Sequence, residues 1–157
     1  MQDEATRQQL VNMLMLRQAH MIFEDAVKDF PEEAINRKPQ NLTYSYWHLL
    51  EHIRFCQYDI LDYIINPDYK MHEFPAGYWR SEDETCTVEQ WNQTIEQFYA
   101  DRQALVDIVM NPETDLQAQI PHAQEGHNII REIIIVGQHN GYHIGEFGIL
   151  RHIEGLW

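Results

Sequence analysis

The chain has 157 residues, 44% of them hydrophobic, which is the size of one ordinary domain with enough apolar material for a real core. Eleven Lys and Arg stand against 25 Asp and Glu, a formal charge of −14. A surface that acidic repels phosphate backbones and anionic lipid heads, so neither nucleic acid nor a membrane is an expected partner. Two cysteines, Cys56 and Cys86, are too few for a disulfide scaffold and form no Cys-x-x-Cys pair. The start, Met1-Gln2-Asp3-Glu4, is acidic rather than signal-like, and no apolar run reaches the roughly 18 residues of a membrane span. The expected location is the cytoplasm.

Helical periodicity marks four long segments, with breakers between them. The first is expected over about residues 5–29, where Leu10, Met13, Leu14, Ile22, Phe23 and Val27 recur near a period of 3.6. Pro31 ends it or opens a short extra turn. The second, about residues 43–65, has Asn41 or Thr43 as candidate caps and closes at Asn66-Pro67. A long connection follows that carries Tyr69, Phe74, Tyr78 and Trp79, too aromatic for a solvated linker; its rings are expected to fold back over an end of the bundle. The third segment, about residues 88–110, opens on a Thr87-x-x-Gln90 capping box and closes at Asn111-Pro112. The fourth covers about residues 127–154, with Gly155 as its stop. Together they predict an all-α, up-and-down-type four-helix bundle occupying residues 1–157 as a single domain.

Within the fourth segment Gly137, Gly141, Gly145 and Gly148 fall near one stripe. Each costs about 1 kcal/mol relative to Ala, so a close-packed helix, in the bundle or across a dimer, is expected against them.

The chemistry lies in the histidines. There is no Gly-x-Ser-x-Gly, Walker loop or dinucleotide fingerprint. The second segment carries His48 and His52, and the fourth carries His139 and His143, each pair four residues apart. Positions four apart differ by about 40° in direction and 6 Å in height, so both imidazoles of a pair share a face. Two such helices could supply three or four nitrogens to one ion. His48-Leu49-Leu50-Glu51-His52 matches the inverted zinc-peptidase motif by chance at this length, and no Glu-x-x-His exists for a ferritin-like di-iron site. Cys56, one turn beyond His52, reads as a buried thiol.

Trp47-His48-Leu49-Leu50-Glu51-His52-Ile53, Gly77-Tyr78-Trp79, Ile120-Pro121-His122, Arg131-Glu132 and His139-Asn140-Gly141-Tyr142-His143 occur in that order along nearly the whole chain. In this the sequence resembles the DinB/YfiT-like superfamily of metal-binding four-helix bundles. The resemblance implies a divalent metal, zinc or nickel ahead of iron, held by His52, His139 and His143. His48, Trp79 and His122 are then supporting or pocket residues, and Glu51, Tyr142 and Glu146 are candidates for proton handling. Some relatives are thiol transferases or isomerases and others are proposed hydrolases. The expected function is therefore a metal-dependent enzyme that activates water or a low-molecular-weight thiol against a small-molecule substrate. The alternative is a non-catalytic bundle that binds metal or a small ligand. The resemblance and the glycine stripe both favour a homodimer.

Overall fold

The computed structural model describes residues 2–157; Met1, part of the acidic start, lies outside the described residues. Among the described residues five α-helices form: α1 (Gln2–Met15), α2 (Phe23–Val27), α3 (Tyr46–Ile65), α4 (Val88–Met110) and α5 (Ile129–Ile153). Short 3-10 turns occupy Glu32–Ala34 and Ala76–Tyr78. Among the described residues no strand forms beyond one isolated bridge between Gln119 and Asn128. Among the described residues no helix is long and apolar enough to cross a membrane.

The ends of the helices follow from local chemistry. Ser45, rather than Asn41 or Thr43, caps α3: its hydroxyl accepts from the His48 backbone N–H, and the His48 ring accepts from the Ser45 N–H. Asn41 instead sits in a turn at φ 68°. Thr87 and Gln90 form the expected reciprocal box at the start of α4. Asn128 caps α5 by accepting from Arg131, which sets the start two residues later than the sequence suggests. Both α3 and α4 end at an Asn-Pro step, because the ring of a proline pushes the preceding residue out of the helical region.

The long helices make a four-sided bundle in which α3 and α1 lie diagonally and each packs on α4 and α5. Two apolar clusters fix the directions. One joins α2 and the early turns of α3 and α4 to Ile144 and Phe147 of α5. The other joins α1 and the late turns of α3 and α4 to Ile129, Ile133 and Val136. The helices therefore run up, down, down, up, and alternation is interrupted between α3 and α4. Parallel neighbours need a return run of about 30 Å, and residues 66–87 supply it. This crossover runs along the flank of α3 instead of closing an end. Tyr69 and Tyr78 bond to Asp59, Trp79 meets His52 and Ser81 meets His48, while Phe74 points to solvent.

The expected continuous first helix is broken at residues 16–22, which hold neither Gly nor Pro. The cause is tertiary. His20 and Met21 sit on Gly141 and Gly148, where an added Cβ would meet them at 2.9 and 2.7 Å. Those glycines lie about 10 Å apart along α5, a span that the side chains of adjacent residues bridge here from a non-helical backbone. Met13 covers Gly137 in the same way. The stripe is thus filled by side chains of the first segment, Met13 from the packed helix α1 and His20 and Met21 from the stretch after it; of the four only Gly145 has nothing within 4 Å.

Candidate metal centre

His52 stands in the middle of α3, and His139 and His143 stand one turn apart on the facing side of α5. Antiparallel packing of these helices brings the three rings together. His52 Nε2 lies 3.2 Å from His143 Nε2 and 3.2 Å from His139 Nε2. Ligand nitrogens of a tetrahedral ion with bonds of about 2.0–2.1 Å stand about 3.3 Å apart, close to the spacing of each of these two pairs.

The surroundings fix which nitrogen faces inward. His52 Nδ1 is 2.8 Å from the Tyr78 carbonyl, which can only accept, so Nδ1 carries the proton and Nε2 presents a lone pair. His143 Nδ1 is 2.7 Å from Glu146 Oε2, and the Glu146 carboxylate also accepts from the Tyr44 hydroxyl. With Nδ1–H bonded outward on both rings, the two Nε2 atoms confront each other as acceptors. Only a cation between them, a proton or a metal ion, makes that contact favourable. Outward Nδ1–H bonds of this kind are what orient metal-ligating imidazoles.

His139 has no such acceptor within bonding distance, and its Nδ1 is buried without a partner. The other nearby orphan is Asn140 Oδ1. The orientation of that amide is set from α4. The Phe98 carbonyl accepts from Gln57 Nε2 at 2.9 Å, so Gln57 must turn Oε1 toward Asn140, whose Nδ2 donates to it at 2.9 Å. Asn140 is left with its carbonyl oxygen as the free group beside His139.

His52, Cys56 and His139 each bring one ligand atom within 4.8 Å of the others and could hold a metal ion. Cys56 Sγ, however, lies 3.6 and 3.8 Å from the two nitrogens of His52, against the ring rather than on the lone-pair axis of either. Burial, aided by Asp59, pushes its thiol up to about 12. Burial lowers His52 to about 4, opposed by the Tyr78 carbonyl and reinforced by His143. Burial also lowers His139 to about 4, with His143 and His52 adding to it and Asn140 opposing. In the metal-free state these two rings are neutral at pH 7, the form that binds metals. Trp79 stacks flat on His52, centroids 3.8 Å apart and planes 8° apart, and walls the cluster from the crossover side.

The other sequence candidates fall elsewhere. Glu51 faces α4: it pairs with Arg54 through both oxygens at 2.9 and 2.8 Å, with Arg80 at 2.8 Å, and accepts from Thr94. Burial would raise its carboxyl, but the two guanidiniums outweigh this and hold it below the usual range. Tyr142 is exposed, with its ring edge-on to His143. Glu146 reaches the cluster as the acceptor on His143; burial raises its carboxyl, and the bonds from His143 and Tyr44 bring it below the usual range. His48 is buried with both nitrogens engaged, one by Ser45 and the other donating to the Ser81 carbonyl, so it fastens the crossover to α3. His122 donates to the Tyr63 carbonyl and lines a separate cleft. Tyr44, Gln57, Asn140 and the Tyr78 carbonyl escaped the sequence reading. Asn140 and Tyr78 carried a signal only as places inside His139-Asn140-Gly141-Tyr142-His143 and Gly77-Tyr78-Trp79.

These features define a helical bundle with a buried pocket of histidines and a cysteine able to hold a metal ion. A model of the DinB superfamily matches residues 15–147, and the chain belongs to that superfamily. No curated protein and no solved structure matches it.

Proposed function

We propose that the protein is a metal-dependent enzyme whose single divalent ion is held by His52, His139 and His143, acting on a small molecule through water or a low-molecular-weight thiol. The observation that carries this reading is the pair of inward Nε2 atoms on His52 and His143, 3.2 Å apart, with both Nδ1 protons bonded outward. A divalent ion there supplies Lewis acidity that lowers the pKa of water or a thiol toward neutrality. Three protein ligands leave a position open for that group. Glu146 holds the His143 ring and, through Tyr44, a path for a proton between carboxylate and phenol. Trp79 keeps bulk water from one side of the cluster. Cys56, protonated beside His52, fills space next to the three imidazoles.

Elemental analysis of tag-free protein made without added metal tests this. Close to one zinc or nickel per chain is expected, lost in His52→Ala and in the His139→Ala/His143→Ala double variant. Metal-dependent turnover on a panel of thiol-plus-electrophile and ester substrates is expected with it. No bound metal after incubation with zinc or nickel and dialysis would overturn the reading.

A non-catalytic metal-binding bundle is the second reading. One observation favours it: Glu146, the carboxylate at the cluster, is already committed to His143 and Tyr44, and Glu51 to two arginines. Stoichiometric metal with no turnover across the panel would decide for it.

A further inference from the structure

We propose that the cleft beside the histidine cluster binds an organic ammonium group, seated on Asp59 among Tyr63, Tyr69 and Tyr78. The cleft, about 530 Å³, lies between α3, α5, the crossover and the turn before α5, and these four residues line it with His122 and Arg131. That volume suits a small organic molecule.

The charges decide the kind of ligand. Arg131 is already bonded to Glu132 at 2.5 Å. The Tyr63 hydroxyl accepts from the Gln124 N–H and lies 2.9 Å from His127 Nδ1, so these two side chains already engage each other. Asp59 is different. It is buried, and its two oxygens receive only neutral phenols, Tyr69 at 3.0 Å and Tyr78 at 3.2 Å. The nearest basic group is His72, half-exposed, 3.7 Å from one oxygen. A buried carboxylate without a full cationic partner is costly, and a bound cation removes the cost. Burial accordingly raises the Asp59 carboxyl, with the phenols opposing.

The rings around it add to the preference. Tyr63 and Tyr69 meet edge to face with centroids 5.0 Å apart, and a tyrosine face attracts an ammonium group within about 6 Å. The formal charge of −14 draws cations toward the whole molecule.

Tyr78 joins this cleft to the cluster, because its carbonyl accepts from His52 while its hydroxyl bonds Asp59. Asp59 lies seven residues beyond His52, about 10 Å along the helix. The reading of the metal centre as catalytic enters only here: on it, the substrate is an amine-bearing molecule whose reacting atom lies about 10 Å from its nitrogen.

Calorimetry on metal-stripped protein separates the two ideas, since it does not depend on an ion at the imidazoles. Hexylamine, hexan-1-ol and hexanoate are titrated at neutral pH in about 0.15 M salt, which screens attraction between distant charges. Hexylamine is expected to bind about tenfold more tightly than either, a difference of about 1.4 kcal/mol. Asp59→Asn should bring it to the level of hexanol. In wild type, nuclear Overhauser contacts should join the methylene next to nitrogen to the rings of Tyr69 and Tyr78; these stand even if the variant does not fold. Equal binding of all three probes, a preference for hexanoate, no binding, or full amine affinity in a folded Asp59→Asn would overturn the proposal.

Discussion

The Asn140 side chain of α5 donates to Gln57 Oε1 of α3 at 2.9 Å, and Gln57 in turn donates to the Phe98 carbonyl of α4. Through this chain α4, which contributes no imidazole, fixes the direction of the amide next to His139. A backbone carbonyl cannot donate, so each amide in the series has one allowed orientation.

Asn140→Leu keeps the volume and removes the oxygen facing His139. Outer partners of metal-ligating histidines are worth about 10–100-fold in affinity. Zinc affinity, measured by chelator competition, should fall by about tenfold, with unchanged helical circular dichroism. Glu146→Gln should weaken it similarly through His143. An unchanged affinity in Asn140→Leu would mean that His139 is oriented by its packing alone.

Metal-free protein should lose stability as pH falls from about 6.5 to about 4. His52 and His139 are lowered from 6.5 to about 4 in the folded state, chiefly by burial. In that window the unfolded chain binds more protons than the folded one, so stability rises with pH and is lost on acidification. Thermal melts of chelator-treated wild type should fall more steeply across this range than those of the His52→Gln/His139→Gln variant. Parallel curves would remove the two rings as the cause.

The glycines of α5 should respond with opposite signs. Gly145→Ala meets open space and should stabilise by about 1 kcal/mol, or about 3 °C in melting temperature. Gly141→Ala puts a Cβ 2.9 Å from the His20 ring, which is tethered by a bond from Nδ1 to the Met21 carbonyl. It should destabilise by about 1–2 kcal/mol. Differential scanning calorimetry of both variants checks the pair, and a stabilised Gly141→Ala would show that His20 moves aside freely.

Arg151 is buried at the end of α5 and donates to the carbonyls of Ala26, Asp29 and Leu156 at 2.9, 3.2 and 2.8 Å. Arg151→Leu strands those acceptors and should cost about 3 kcal/mol, lowering the melting temperature by about 10 °C. Arg151→Lys, with one short ammonium for three carbonyls, should recover only part. A loss under 1 kcal/mol in urea titration would show that the carbonyls find water.

Periodicity and end chemistry by themselves determined the helices at residues 88–110 and, within a few residues, at 46–65 and 129–153, because capping and Asn-Pro stops act over one turn of chain. His-x-x-x-His spacing determined that His139 and His143 share a face, since helix geometry alone sets it. Other features were decided only by the fold. Residues 16–22 read as helix and are irregular, because side chains there fill glycines of α5 that lie far away in sequence. By spacing alone His48 and His52 are equivalent, and only the family resemblance singled out His52; in the fold Ser45 and Ser81 hold the first while the second meets His139 and His143. Their difference arises where α5 and the crossover happen to lie beside α3. The Tyr78 carbonyl that orients His52 is a backbone group, present at every residue and distinguished only by position. Spacing within one helix is local and legible; a meeting between helices depends on packing, and packing sorted the histidines.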